Sequence, residues 1–191
     1  MSIRVIRMFD KYDGVTINTC SSGQGWERGL SPFLIGPCEL YGGYTAKNVE
    51  NAWQFSKVYH EHHKDGKPTE EYWKWAIAGW DDQRAYRYPM GKGAIPLYSY
   101  WDGEHLNYIQ ARKRIYGPLY ANAVLGTPAW NQLYQTYLSN STALMHAVTH
   151  YQTIETVLRD YDGYNTDDSL TTVLNNPYKK MGHAFVLKML L

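Results

Sequence analysis

Glycine and proline decide where this chain can be regular. Sixteen Gly and eight Pro punctuate 191 residues, and either residue can break an element, through backbone freedom or a missing amide donor. Ser21 to Tyr44 contains six Gly and two Pro, so this stretch is predicted to be a structured loop with short strands. Lys47 to His63 contains neither, and Val49, Ala52, Trp53, Ser56 and Tyr59 recur there at helical spacing. This predicts a helix, stopped by Lys64-Asp-Gly-Lys-Pro68. A second helix is predicted from Thr69 to Trp80. Glu104 to Leu125 reads as helical but must kink or break at Gly117-Pro118. Thr127-Pro128, a capping hydroxyl followed by proline at the first helical position, opens a helix running to about Tyr151.

Strands are fewer. Ser2 to Phe9 and Val15 to Cys20 are β-branched and flank Asp13-Gly14, which reads as a hairpin. Thr153 to Asp160 alternates like a strand and ends in a turn sequence, Asp160-Tyr-Asp-Gly-Tyr-Asn165. Lys180 to Leu191 suits helix or strand equally. No internal repeat is visible. The expectation is an α+β fold, mainly helical with a small sheet, in one domain over residues 1–191.

Composition narrows the function classes. Nineteen Lys and Arg stand against eighteen Asp and Glu, giving +1. Residues 1–95 carry 12 basic and 11 acidic side chains and residues 96–191 carry 7 of each. A chain so balanced is neither a nucleic-acid coat nor an acidic disordered segment, although a local basic patch is compatible with it. Cys20 and Cys38 are too few for a disulfide framework, match no zinc spacing and read as ordinary buried thiols. With no secretory leader after Met1, a cytoplasmic location is expected, and no apolar run is long enough for a membrane span. The chain has 18 Tyr and 7 Trp but 4 Phe, so most ring area carries a polar edge that needs a partner or water. A cleft wall suits that, as does a core with satisfied edges.

Several residues could carry chemistry. On the predicted 47–63 helix, Glu50, Gln54 and Lys57 fall at i, i+4 and i+7, in one stripe away from Trp53. The stripe reads as a solvated polar face, or as a carboxylate, amide and amine facing a sugar. In the second case the carboxylate activates water or supports an oxocarbenium-like centre, and the amine attacks or holds a substrate oxygen. Arg84, Arg87 and Lys92, beside Gly91 and Gly93 and with no acid among them, form either a solvated loop or an anion-binding one. It is not a Walker motif. Tyr86, Tyr88, Tyr98, Tyr100 and Trp101 interleave with it, as base stacking would require. Arg112 and Tyr116 lie one turn apart and could face the same site. Asp160 and Asp162 could align a ribose hydroxyl or water, or simply shape their turn. His60, His62 and His63 lack a zincin pattern, so no metal site is expected; a helix C-terminus accounts for them.

The stretch Asn48-Val-Glu-Asn-Ala-Trp-Gln-Phe-Ser-Lys57 resembles the signature helix of the NADAR family. Leu30-Ser-Pro-Phe33 is similar to the Ser-Pro stretch that precedes it, and Lys180-Met-Gly-His-Ala-Phe-Val-Leu187 resembles the family's closing segment. The whole chain is also similar to viral and bacterial proteins with the same motif order, densest over residues 30–59. Two positions depart from the family pattern: Asn51 stands where His usually follows the Glu, and Asp160-Tyr-Asp-Gly-Tyr164 replaces Asp-x-x-Trp-Gly. The resemblance implies an N-glycosidase acting on a ribose-phosphate or ADP-ribose substrate, free or as a modified base in DNA or RNA. It makes Glu50 and Lys57 the catalytic candidates, with Lys57 engaging the anomeric carbon. Ser31, Trp53, Gln54, Arg84, Arg87, Lys92, Arg112, Tyr116, Asp160, Asp162 and His183 become the substrate-binding candidates. No cofactor is implied. The rival expectations are a non-catalytic viral accessory protein that binds a nucleotide or single strand, in the host cytoplasm, and an interaction protein contacting its partner through exposed Tyr and Trp.

Overall fold

The computed structural model describes residues 3–147 and 155–191. Helix accounts for 42% and strand for 17%, so the fold is α+β and mainly helical, as the glycine and proline spacing implies. In chain order the elements are β1 (Ile3–Arg7), β2 (Ile17–Asn18), β3 (Cys38–Glu39), β4 (Thr45–Ala46), α1 (Val49–Gln54), β5 (Lys57–Val58), β6 (His63–Lys64), β7 (Lys67–Pro68), α2 (Glu70–Asp81), β8 (Tyr98–Trp101), β9 (Glu104–Leu106) and α3 (Tyr108–Ala111). A π-helical turn over Arg112–Tyr116 leads into α4 (Gly117–Leu125), followed by α5 (Pro128–Ala147), β10 (Thr156–Asp160), α6 (Leu170–Asn175) and α7 (His183–Leu190). Among the described residues no helix is long and apolar enough to cross a membrane. The chain divides into two compact units, Met1–Ser31 with Val124–Leu191, and Pro32–Ala123.

In the first unit β10 lies between β1 and β2, and both pairings are parallel. The predicted β1–β2 hairpin is therefore wrong: the two strands run the same way and do not pair. Arg159 of β10 explains the path between them. Its Nη1 donates to the carbonyls of Met8 (2.9 Å) and Asp10 (2.8 Å) and its Nε to Thr16 Oγ1 (2.9 Å), gathering the 8–16 connection beside the sheet. Val5, Ile6, Val157 and Leu158 are buried in this sheet, and α7 packs on it through Ala184, Phe185, Val186 and Leu187. The terminal segment that suited helix or strand is thus helix. The helix predicted from Thr127-Pro128 is α5, and Thr127 Oγ1 accepts the Trp130 N–H at 3.1 Å. Its expected end near Tyr151, and the expected strand start at Thr153, lie outside the described residues.

In the second unit Thr69 caps α2 by accepting the Tyr72 N–H, and α2 buries Tyr72, Ala76 and Trp80 against Ala52, Phe55 and Val58. The Tyr72 hydroxyl donates to the Phe55 carbonyl at 3.2 Å, whereas Tyr41 Oη and Trp80 Nε1 are buried with no hydrogen-bond partner among the described residues. Strands β5, β8 and β9 form an antiparallel sheet. Two tight hairpins turn at Asp65-Gly66 and Asp102-Gly103, where both residues have positive φ. This is the conformation that selects Asp-Gly in two-residue hairpins. The expected break before Pro118 takes the form of the π-helical turn. Gly117 donates to Arg112, five residues back, and the wider turn accommodates a proline that has no N–H to give Arg114.

The predicted 47–63 helix is only six residues long. Ser56 Oγ donates to the Trp53 carbonyl at 2.8 Å, and the Tyr100 and Leu97 amides donate to Ser56 and Val58 at 2.8 Å each. The chain after Gln54 is thus drawn into the β5–β8 ladder, where β-branched Val58 and the aromatic Tyr59 suit it better. The histidines consequently do not end an α-helix; His60–His62 form a short 3-10 turn of their own. His62 is buried with its ring 4.7 Å from that of Trp75, and His63 Nδ1 lies 2.9 Å from the Tyr98 hydroxyl.

Candidate functional site

Helix α1 builds the site in the second unit. Asn48 caps it by accepting the Asn51 N–H at 2.8 Å, while Val49 and Ala52 are fully buried and fix the helix against the core. The opposite face carries Glu50, 5% exposed, and Gln54, 8% exposed. These are not the solvated positions a surface stripe would have. Gln54 Nε2 donates to Glu50 Oε1 at 2.9 Å, and Lys57 Nζ donates to Gln54 Oε1 at 2.6 Å. The amide can point only one way, because a carboxylate takes its N–H and an ammonium feeds its oxygen.

The stripe does not point away from Trp53 as expected: Lys57 follows Trp53 by four residues, a spacing that makes two side chains neighbours on a helix, and from β5 its Nζ still lies 4.7 Å from the Trp53 ring centroid. That distance is within cation–π range. Trp53 is half-buried against Leu106, Ala111 and Ile115, and Tyr116 lies 5.3 Å from it, centroid to centroid. Arg112 is 2% exposed with its guanidinium 4.5 Å from the Tyr108 ring. The basic run after Ala111 is thus split: Arg112 turns inward, while Arg114 makes a two-pronged ion pair with Glu104 at 2.6 Å and 2.6 Å.

The basic loop is fastened to the same helix. Asn51 Nδ2 donates to the carbonyls of Asp82 (3.0 Å) and Arg84 (2.8 Å), and its Oδ1 accepts the Tyr86 N–H (2.9 Å). Asp82 closes the turn by accepting from the Arg84 amide and the Tyr86 hydroxyl, at 2.8 Å each. These two donors, the Arg84 amide first, hold its carboxyl below the usual carboxylate range. Arg84 lies 5.2 Å from the Tyr86 ring and Arg87 5.5 Å from that of Tyr88. Lys92 is exposed between Gly91 and Gly93, both at positive φ.

Of the predicted site residues, Glu50, Gln54, Lys57, Trp53 and Tyr116 therefore come together, and Arg84 and Arg87 stand on a loop clamped beside Glu50 through Asn51. Ser31, Asp160, Asp162 and His183 belong to the first unit. Ser31 is buried, its amide donating to the Arg28 carbonyl at 3.1 Å. Asp160 and His183 do not face open turns or clefts. Asp160 Oδ2 lies 3.0 Å from His183 Nδ1 and accepts the Ala184 N–H at 3.0 Å. Asp160 Oδ1 accepts the Asp162 N–H at 3.1 Å and the Cys20 Sγ at 3.8 Å. Burial pushes this carboxyl up, but the charge of His183 and the bonds from His183, Ala184 and Asp162 outweigh it and bring it down to about 2.

Asn51 contacts its loop, and Cys20 meets Asp160 in the first unit, across sequence separations that no local spacing announces, whereas Tyr108 stands four residues before Arg112, a helical spacing that pairs them. Among the described residues, Cys20, Asp160 and His183 are the group able to hold a metal ion, with donor atoms within 4.8 Å of one another. Cys38 is a buried thiol that burial pushes up to about 11, in keeping with an unreactive side chain. No family model, curated protein or solved structure matches the chain.

Proposed function

We propose that this chain is a NADAR-like N-glycosidase that hydrolyses or exchanges the N-glycosidic bond of a ribose-phosphate or ADP-ribose substrate. The substrate is free or attached to a modified base in nucleic acid. The observation that carries the reading is the hydrogen-bond chain from buried Glu50 through buried Gln54 to half-buried Lys57, beside Trp53. In hydrolysis, water adds to the anomeric carbon as the bond to nitrogen breaks. The Glu50 carboxylate takes the proton of that water, and the departing base carries the electron pair and gains a proton. Lys57 holds a ribose oxygen, Gln54 sets the spacing between acid and amine, and Trp53 offers a ring face to the substrate. Arg84, Arg87 and Lys92 receive the phosphates.

Glu50→Gln retains an oxygen to accept from Gln54, so the variant is expected to fold with an unchanged circular dichroism spectrum. Its turnover of an ADP-ribosylated guanine oligonucleotide should fall by about a hundredfold or more, the scale of losing a general base. Full activity in that variant sinks the mechanism. The Arg84–Tyr86 and Arg87–Tyr88 pairs favour one rival, a binding module that stacks nucleotides without chemistry. It predicts a thermal shift with ADP-ribose or single-stranded DNA and no product after prolonged incubation.

A further inference from the structure

In the first unit, Cys20, Asp160 and His183 form a buried group separate from the Glu50 chain. We propose that these three side chains form a closed, structural binding site for a divalent cation of the zinc class. The donor set is a thiol sulfur, an imidazole nitrogen and a carboxylate, the combination borderline-soft divalent metals select over calcium or magnesium. Cys20 Sγ faces Asp160 Oδ1 at 3.8 Å, and His183 Nδ1 faces Asp160 Oδ2 at 3.0 Å. Ligand atoms about 2.0–2.3 Å from a tetrahedral zinc lie roughly 3–4 Å from one another, so this spacing needs little adjustment. The Asp160 carboxylate turns one oxygen toward each of the other ligands and can chelate through both, giving four donor atoms in a geometry distorted from regular tetrahedral by the short carboxylate bite.

The surroundings hold each donor in place. His183 Nε2 lies 2.8 Å from the Thr19 carbonyl, an oxygen that can only accept, so Nε2 carries a proton; Nδ1 is the nitrogen presented to the cluster, and a bound cation displaces to solvent the proton that Nδ1 shares with Asp160. A ring N–H bonded to a backbone carbonyl is how proteins fix the tautomer and tilt of a metal-ligating histidine. The Ala184 and Asp162 amides hold the two Asp160 oxygens, and the Cys20 amide donates to Asn18 Oδ1 at 3.1 Å. A Cβ on Gly182 would collide with the Asp160 carboxylate, so that position admits only glycine against it.

Charge and burial agree. The three residues are 6%, 3% and 5% exposed, and a thiolate with a carboxylate neutralises one dication, which a site this dry requires. The cation would tie the end of β2, the end of β10 and the first turn of α7, with Cys20 and Asp160 standing 140 residues apart. Its role is structural, because no coordination position faces solvent.

The test uses the full chain, stripped with a chelator and titrated with Co²⁺ alone. The expected result is one Co²⁺ per chain, with a thiolate-to-cobalt charge-transfer band and visible bands of tetrahedral intensity. Cys20→Ser should abolish the charge-transfer band and Cys38→Ser should leave it intact. Zn²⁺ should raise the thermal midpoint of the stripped protein. No charge-transfer band in the unaltered chain, or a band that survives Cys20→Ser, overturns the proposal. Should Cys20→Ser fail to fold, alkylation of the unaltered chain with and without Zn²⁺, read by peptide mass, decides the matter. Protection confined to Cys20 supports the site, and equal labelling of Cys20 in both states overturns it.

Discussion

Asn51 makes three hydrogen bonds to backbone groups of Asp82, Arg84 and Tyr86, and it is fully buried. Asn51→Ala removes all three, at about 0.5–1.5 kcal/mol each, so urea unfolding should show a loss of about 2–4 kcal/mol. The freed loop should also open to trypsin at Arg84, Arg87 and Lys92; unchanged cleavage there would mean Asn51 is not its clamp. His62 makes the opposite case. Its Nδ1 is buried without a hydrogen-bond partner among the described residues, and burial lowers its basicity despite Glu61 and Glu71 nearby. A histidine harder to protonate folded than unfolded leaves stability intact above the unfolded value, about 6.5, and erodes it as pH falls below that. His62→Phe keeps the ring contact with Trp75 and removes the unsatisfied nitrogen. Its thermal midpoint should match or exceed that of the unaltered chain at pH 7 and fall less between pH 7 and pH 5. Neither role is legible in the sequence, because the partners of Asn51 are main-chain atoms 31 to 35 residues away and the surroundings of His62 are rings brought in by α2.

At the scale of elements, sequence signals proved sound in kind and less so in place. Asp-Gly does mark hairpins here, at Asp65-Gly66 and Asp102-Gly103, but not at Asp13-Gly14, where Arg159 gathers the connection and β10 intervenes. The Thr127-Pro128 start is local chemistry, so it was readable. The end of α1 is not local, since pairing with β8 decides it. Glu50, Gln54 and Lys57 meet as their spacing implied, Glu50 and Gln54 one turn apart within α1 and Lys57 brought to the Gln54 amide by the turn at Phe55 and Ser56, although the helix itself has ended. Gly79 shows how closely α1 and α2 fit. A Cβ there would collide with the Phe55 ring, which Trp75 and Tyr86 also contact. Alanine favours a helix over glycine by about 1 kcal/mol, yet overpacking a full core costs about 1–3 kcal/mol. Gly79→Ala should therefore lower the urea midpoint, and an increase would show that Phe55 can move aside.

For the whole molecule, the α+β class was legible because glycine and proline confine long elements to a few windows. The division was not: the segment Pro32–Ala123 interrupts the sequence of a unit built from both chain ends, and β1 pairs with β10 across about 150 residues without any local mark. Net charge is a property at this scale with a direct consequence for the proposed substrate. Nineteen basic and eighteen acidic side chains provide no long-range attraction for a polyanion, so nucleic acid must be held by a few local cations. The clamped loop supplies Arg84, Arg87 and Lys92, and neutralising three phosphates of a single strand gives a salt slope of about 2 in log Kd against log salt. A fluorescent single-stranded oligonucleotide titrated from low to high salt should show that slope. Changing the three cations to alanine should bring it close to zero. A slope well above 2, or one unaffected by the triple substitution, would move the phosphate contacts off this loop and leave its Arg–Tyr pairs as packing alone.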